Sequence, residues 1–241
     1  APEGVWTLEL SYLPLFLKQL SYDQLCHEHV GYYNLIDLKN LFSIFNLSIF
    51  DVSLNDVNGG SIYVKVCHEY YFKNYINKKN KEFIDNLLMR EEMIEEDNTL
   101  GKLKNRLVIH KDEIRNCLNM IKLTSKKVLG YGASTKGNIL LHYCNISKED
   151  IPFIGDLNPE KHTRLTPGTR IPIKSHDYIK SLRPDYLFVF IWHFRKEIIN
   201  LELEYLKKGG KLIFPLPRLH IVDIFNYEFY LNSDFDDLAF S

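Results

Sequence analysis

The 241-residue sequence is long enough for one large domain or two small ones around a buried core. Hydrophobic residues make up 45% and charged residues 25%, which is typical of a soluble globular protein. The formal net charge of −1 gives no electrostatic reason to expect nucleic acid or an anionic membrane as a partner. No apolar run is long enough to span a bilayer, and the first residues lack the basic region of a signal peptide. The four cysteines are scattered and form no CxxC motif, which favours free thiols in a reducing cytoplasm.

Residues 1–72 predict a mixed set of strands and helices. Trp6–Tyr12 favours a strand, although no earlier element is there to pair with it. A short helix with Pro14 in its first turn follows, and residues 35–45 have the apolar spacing of an amphipathic helix. Two further strands meet at the Asn-Gly-Gly turn at 58–60, which permits positive φ and therefore predicts an antiparallel pair.

Residues 73–105 are strongly charged, and apolar positions 83, 87, 88 and 94 fall on one helical face, which predicts a connecting helical segment. Residues 106–225 alternate between helix-like and strand-like stretches. This alternation predicts a Rossmann-like parallel sheet with helices on both faces. Within it, Ser175 is the expected N-cap of a short helix, and Gly209 is expected to end a longer one. Residues 226–241 form an acidic tail.

A glycine-bearing turn follows the first strand of this second part, in the stretch VLGYGASTKGN. Backbone N–H groups at a helix N-terminus favour an anion, and two hydroxyls and a lysine add further donors. The stretch therefore predicts a phosphate or diphosphate site, although a tight turn with a capped helix is equally compatible with it. Later strands end in polar loops that should reach the same sheet edge. The predicted substrate-binding residues are Gly132, Ser134, Thr135, Lys136, Asn138, Asp156, Trp192, His193 and Arg195.

The stretch YDQLCHEHVGYYNL contains the run Cys26, His27, Glu28 and His29. A metal would need ligands from elsewhere, because the run matches no HExxH pattern, so we predict no metal site. A histidine beside a carboxylate can act in proton transfer, since imidazole titrates near neutral pH. The two histidines would share a face on an extended strand. The remaining alternative is a His–Glu pair that caps the next helix.

Six stretches then occur in one order along the chain: YDQLCHEHVGYYNL, NGGSIYV, GYGASTKGN, DLNPEKHTRLTPGTRIPI, WHFRKEI and GGKLIFPLP. The series resembles the S-adenosylmethionine-dependent sugar C-methyltransferases, which act on nucleotide-linked deoxysugars. It extends from about Trp6 to Pro217. The resemblance implies an α/β fold, in which the C-terminal part of a class I methyltransferase fold, residues 1–72, precedes the Rossmann-like domain.

Members of that family begin with a small zinc-binding domain and a complete methyltransferase domain. The resemblance therefore implies that this chain is a fragment: the zinc cysteines and most of the glycine-rich S-adenosylmethionine loop are missing from it. We expect zinc only in the absent N-terminal domain and S-adenosylmethionine as the cofactor of the whole enzyme. The expected partner is a nucleotide-diphosphate sugar, with neither nucleic acid nor membrane, and the sequence leaves the oligomeric state open.

By the same resemblance, His29 would be the general base and Glu28 would assist it. A base removes the proton beside a 4-keto group, and the resulting enolate attacks the methyl group of the donor. Many relatives carry Tyr at the position of Cys26, and many carry Arg at the position of Tyr63. We include Cys26 among the catalytic candidates. Either departure could accompany a different sugar or an altered reaction.

Two other functions remain to be weighed. A non-catalytic module that only binds a nucleotide sugar would explain the missing donor loop and Cys26. A nicotinamide-dependent oxidoreductase is disfavoured, because the glycines form GxGxxxxG and no acidic residue ends a second strand at the expected distance.

Overall fold

A computed structural model describes residues 3–95 and 99–235, without the side chains of 93–95, 99 and 100. The predicted acidic tail therefore lies partly outside the described residues. At the helix position Ile94 the structure describes the backbone but not the side chain. The chain divides into two compact units. The first contains residues 1–21 and 30–104, and the second contains residues 22–29 and 105–241.

The first unit is a small sheet packed against helices. Its strands are β1 (Val5–Ser11), β2 (Leu47–Asn55) and β3 (Ser61–His68), and its helices are α1 (Leu13–Lys18), α2 (Leu35–Ser43), α3 (Phe72–Tyr75) and α4 (Lys78–Glu95). The long helix α5 (Thr99–Leu123) begins in this unit and continues in the second. A short helix α3 and two long helices thus occupy the stretch predicted as a connecting helical segment.

All three strands are antiparallel, in the order β1-β3-β2. The N-terminal strand has a partner after all, because β1 pairs with β3 from later in the chain, with Leu8 opposite Val64. The predicted hairpin-like pair of β2 and β3 is confirmed, and Asn58 has the positive φ of 57° that the turn requires. Apolar side chains of the sheet, α2 and α4 form the core of the unit, including Ile62, Val64 and Leu87.

The second unit is built on a larger sheet. Its strands are β4 (Val128–Tyr131), β5 (Ile154–Asp156), β6 (Ile173–Ser175), β7 (Tyr186–Val189), β8 (Lys211–Phe214) and β9 (His220–Val222). Besides α5, its helices are α6 (Thr135–Tyr143), α7 (His176–Ser181), α8 (Arg195–Leu201), α9 (Leu203–Lys207) and α10 (Tyr227–Asn232).

The strand order is β6-β5-β4-β7-β8-β9, and every neighbouring pair is parallel except β8 and β9. This is the strand order of dinucleotide-binding α/β folds, so the predicted Rossmann-like sheet is confirmed. The sequence did not predict β6 and β9, which have three residues each. In such a sheet, ligands bind beyond the carboxyl ends of the strands, where the chain leaves β4, β5 and β7.

The helix boundaries of the second unit follow local signals. The Ser175 hydroxyl accepts the Tyr178 backbone N–H at 3.2 Å and caps α7 as predicted. Gly209 has a φ of +90° and ends the helical stretch after β7, also as predicted. That stretch is divided into α8 and α9 at the buried Glu202, where one continuous helix was expected. No helix among the described residues combines the length and apolar character needed to cross a bilayer.

Candidate functional site

The turn after β4 is shaped by one glycine and one serine. Gly132 has a φ of +86°, a conformation that L side chains rarely adopt. A Cβ at Gly132 would also lie 2.7 Å from the Ile191 side chain. The Ser134 hydroxyl accepts the Gly137 backbone N–H at 2.9 Å and caps α6. The turn therefore leads directly from a buried strand into a helix N-terminus, which favours negative charge.

Asp156 closes this turn from the neighbouring strand. It ends β5, and one carboxylate oxygen accepts the Ala133 backbone N–H at 2.8 Å, while the other accepts that of Asn158 at 2.8 Å. Lys161 makes a 3.2 Å ion pair with the same carboxylate. The expectation that no acidic residue ends a second strand at the distance typical of dinucleotide-binding folds is wrong, because Asp156 ends β5 about 20 residues after the glycine-bearing turn. Both its oxygens are nevertheless engaged by backbone, as a turn-forming residue requires.

The run that contains the histidines belongs to the second unit rather than to the first. Residues 22–24 form one 3₁₀ turn, and the His29 backbone N–H then donates to the Cys26 carbonyl at 3.1 Å. The run is therefore a turn, and the extended geometry that would give His27 and His29 a common face does not occur. The helix-capping alternative is also wrong, because the cap of α2 is Asn34, which accepts the Asp37 backbone N–H at 2.7 Å.

Tyr22 anchors this segment to the second unit. Its hydroxyl lies 3.2 Å from Nδ1 of His110 and 3.3 Å from the sulfur of Cys144, and all three residues are buried. Nε2 of His110 lies 2.6 Å from the Pro215 carbonyl oxygen, so this nitrogen carries the proton and Nδ1 accepts from the tyrosine. Burial lowers the pKa of His110, which keeps the ring neutral and the network intact.

The turn then places its acid–base residues beside α6. The Thr135 hydroxyl donates to the Glu28 carboxylate at 3.0 Å. Cys26 is buried, His29 is half-buried, and His27 is exposed. One side of the second unit thus contains four of the predicted site residues: Cys26, Glu28 and His29 from the run, and Thr135 from the glycine-bearing turn.

A buried hydrogen bond joins the same segment to the loop after β7. The indole N–H of Trp192 donates to the Asp23 carboxylate at 2.8 Å, and both side chains are fully buried. Burial raises the pKa of Asp23 to about 6, while the indole and Lys136 act in the opposite direction. Trp192 therefore supports the segment through a buried hydrogen bond, and its side chain has no exposed surface with which to contact a ligand.

Lys136 is the positive charge that these residues share. Burial lowers its pKa, and Asp23, Cys26 and Glu28 act against that shift. The pKa of His29 lies below its usual value, first because of burial and then because of Lys136, with Glu28 opposing both. At His193 burial and then Lys136 lower the pKa to about 4. Near neutral pH both rings are consequently uncharged, as a general base must be.

The remaining predicted residues divide into two groups. Asn138 is half-buried on the first turn of α6, and His193 is half-buried in the loop after β7. Arg195 is almost fully buried: its guanidinium donates to the Ser233 carbonyl and lies 4.7 Å from the centre of the Phe235 ring. These contacts hold the end of the described chain against α8, which gives Arg195 a structural role.

Sequence reasoning missed Asp23, although it stands three residues before Cys26. It stands in a stretch of mixed polar and apolar residues, so no local pattern singled it out, and its partner lies 169 residues later. It also missed His110, whose role depends on packing between α5, β8 and the segment at 22–29. Among the described side chains, those of residues 3–92 and 101–235, no three His, Cys, Asp or Glu lie close enough together to hold a metal ion.

Comparison with known proteins agrees with this architecture. Residues 56–217 match the family model described as the C-methyltransferase C-terminal domain. Over 224 residues the chain is 33% identical to the C-methyltransferase NovU of Streptomyces niveus, an alignment that covers 92% of this chain and 52% of that relative. The chain therefore spans about half the length of the curated relative it matches. Together with the mixed α/β fold, these matches confirm the resemblance, and the chain belongs to the family of the C-methyltransferase C-terminal domain.

Proposed function

We propose that the protein carrying this chain is an S-adenosylmethionine-dependent C-methyltransferase that acts on a carbon beside the ketone of a nucleotide-linked keto-deoxysugar. The observation that carries the proposal is the hydrogen bond from Thr135 to Glu28, which joins the acid–base turn to the N-terminal turn of α6. A base and an anion-binding helix end in one unit are what a sugar diphosphate with an acidic C–H requires.

In this proposal the neutral imidazole of His29 removes the proton beside the ketone. The ketone makes that carbon acidic, because the electron pair left behind spreads onto the oxygen as an enolate. Glu28 stabilises the positive charge that develops on the imidazole, and the Thr135 hydroxyl keeps the Glu28 carboxylate in position through its hydrogen bond. Cys26 stays a candidate whose buried thiol lies in the same turn.

The sugar diphosphate is proposed to bind at the first turn of α6. Gly132 lets the backbone approach closely, Ser134 and Thr135 border the helix end, and Lys136 supplies the positive charge. The helix N-terminus favours the same sign of ligand. Asn138 and His193 are proposed as further contacts. Asp156 and Trp192 would then act indirectly, by closing the turn and by fixing Asp23.

We infer that the described residues of this chain do not form the binding site of the methyl donor. In the first unit, the glycines at 59 and 60 lead into β3 of an antiparallel pair, and no glycine-rich turn in the described part of this unit joins a strand to a helix. We therefore assign its binding to no residue of this chain. When bound, the donor would supply an electrophilic methyl group, and S-adenosylhomocysteine would be the leaving group.

The decisive assay uses the full-length protein with a dTDP- or GDP-4-keto-6-deoxysugar and isotopically labelled methyl donor. We expect label on the sugar carbon beside the ketone. A second assay omits the donor and follows exchange of that carbon-bound hydrogen for deuterium from D2O, which reports the base alone. His29→Asn should abolish both signals, and the matched control His27→Asn, at an exposed neighbour, should retain them.

Two outcomes would contradict the proposal. Folded full-length protein that labels none of these sugars is not the enzyme proposed here. If such protein binds the sugar nucleotide but catalyses neither labelling nor exchange, the alternative of a non-catalytic nucleotide-sugar module is correct instead.

A further inference from the structure

We propose that Asp23 is a positioning residue, whose buried carboxylate is the counter-charge that keeps the Lys136 ammonium in place at the first turn of α6. The proposal rests on the function proposed above, because it is the anion-binding role of Lys136 that Asp23 would serve. Neither the family match nor the sequence pattern assigns a role to Asp23.

The geometry around Asp23 fixes its carboxylate in one place. The side chain is fully buried, and the fully buried Trp192 donates its indole N–H to one carboxylate oxygen at 2.8 Å. Tyr22, the preceding residue, is bound to His110 and Cys144. Asp23 is therefore held next to a fixed tyrosine and a fixed indole. The turn at 22–24 that carries Asp23 packs against α6, the helix that carries Lys136 in its first turn.

The charges that face Asp23 and Lys136 come from three elements. The segment at 22–29 contributes Asp23, Cys26, Glu28 and His29, α6 contributes Lys136, and the loop after β7 contributes His193. Among these groups Lys136 is the cation at neutral pH, since both imidazoles are neutral there. Glu28 is a second negative charge in this cluster. It is exposed to solvent and accepts a hydrogen bond from Thr135, whereas Asp23 is fully buried.

A structural role alone does not account for an ionisable group at position 23. The indole N–H needs only an acceptor, and the amide oxygen of an asparagine would supply one. An ionised carboxylate buried here is less favourable than one in water, which is why burial raises the pKa of Asp23. The negative charge therefore disfavours folding at neutral pH. The most direct role for such a charge is to compensate the positive charge of the partly buried Lys136.

The consequence is a specific change in Lys136 chemistry. Burial favours the neutral amine, and Asp23 is the largest influence in the opposite direction. Removing the Asp23 charge should lower the pKa of Lys136, so that the amine loses its proton at a lower pH and reacts faster with electrophiles. A loss of packing without a loss of charge would not produce this shift.

The test measures the rate at which acetic anhydride modifies Lys136 in the full-length protein across pH, with the modified peptide quantified by mass spectrometry. For Asp23→Asn we expect the midpoint of the Lys136 profile to move to lower pH, because the variant lacks the carboxylate that favours the charged ammonium. Trp192→Phe, which keeps the carboxylate, should shift it less. An unchanged midpoint in folded Asp23→Asn protein would overturn the proposal.

A second measurement covers the case in which Asp23→Asn does not fold. The indole N–H signal of Trp192 in NMR reports ionisation of Asp23 in the wild-type protein. Because Lys136 lowers the pKa of Asp23, Lys136→Met should move that titration to higher pH. The same midpoint in both proteins would refute the coupling. Neither measurement needs sugar or methyl donor, so its failure is distinct from a failure of methyl transfer.

Discussion

The hydroxyl of Thr135 donates a hydrogen bond of 3.0 Å to the carboxylate of Glu28, a residue 107 positions earlier in the chain. Thr135 is the first residue of α6, so the carboxylate lies where the helix dipole favours negative charge. Glu28 is also the residue next to His29. One side-chain contact therefore connects the orientation of the proposed base to the helix end that is proposed to bind the diphosphate.

Replacing Thr135 by valine should weaken this connection. Valine keeps the branched shape but cannot donate, and the loss of one partly exposed hydrogen bond corresponds to about 1 kcal/mol, or about a fivefold lower rate. We expect this decrease in the deuterium exchange of the sugar, with little change in thermal stability. Thr135→Ser keeps the hydroxyl and is the control. If valine and serine behave alike, the hydrogen bond does not contribute to proton transfer.

Removing Lys136 should change the pH dependence of His29. The positive charge of Lys136 disfavours the imidazolium form, so it lowers the pKa of His29 in addition to burial. Lys136→Gln should therefore raise that pKa, and the acidic limb of the exchange rate should move to higher pH. NMR titration of the His29 ring provides the direct measurement.

The control for Lys136→Gln is Lys148→Gln. It removes the same charge from the loop that precedes β5. That loop lies at the amino ends of the parallel strands, whereas the turn after β4 lies at their carboxyl ends. The His29 titration should be unaffected there. A shift of equal size in both variants would mean that the net charge of the protein, and not Lys136 itself, determines the pKa.

Much of the fold follows from signals that act over a few residues. Ser175 and Gly209 mark helix ends through a side-chain acceptor and a positive φ, and Asn58 marks the turn before β3 in the same way. The short strands β6 and β9 were missed, because three residues carry too little periodicity to distinguish a strand from a loop. Their strand conformation depends on pairing with β5 and β8.

The candidate site was predictable in its residue types but not in its arrangement. The glycine-bearing turn and the Cys-His-Glu-His run each contain a recognisable local pattern. Sequence gave no reason to place the run with the second unit, because the contacts of Asp23 and Glu28 lie 169 and 107 residues away. Such contacts depend on the tertiary fold, which a local pattern does not encode.

Asp23 should make the stability of the protein fall as the pH rises. Its pKa is 3.8 in the unfolded chain and about 6 in the folded state, so the folded protein binds the proton more tightly. Stability is therefore greatest below the lower value and declines as pH passes through the higher one. The displacement corresponds to about 3 kcal/mol.

The variant Asp23→Asn has no such group, so its stability relative to wild type should increase between about pH 4 and pH 7. Urea denaturation at a series of pH values, followed by the fluorescence of Trp192 and Trp6, measures this difference. Parallel curves for the two proteins would show that the Asp23 carboxylate keeps its ordinary pKa in the folded state.

In the first unit, Glu91 is a buried residue whose removal should destabilise the fold. Its carboxylate accepts the backbone N–H groups of Leu35 at 2.7 Å and Ile36 at 2.9 Å, and also the hydroxyl of Tyr12. Glu91→Gln presents an amide N–H₂ to groups that are themselves donors, which leaves a buried donor unsatisfied at a cost of about 2 kcal/mol. Tyr12→Phe removes one donor only and should lower the free energy of unfolding by less.

Two glycines with nearly the same backbone conformation allow strain and site geometry to be separated. Gly132 has a φ of +86° and Gly209 has a φ of +90°, so alanine at either position carries similar backbone strain of about 1 kcal/mol. A Cβ at Gly132 would lie 2.7 Å from the Ile191 side chain, whereas one at Gly209 would meet nothing within 4 Å. Gly132→Ala should therefore displace the turn after β4 and weaken binding of dTDP or GDP measured by calorimetry. Gly209→Ala should lower stability slightly and leave that affinity unchanged. Equal affinities in the two variants would exclude the turn as the diphosphate site.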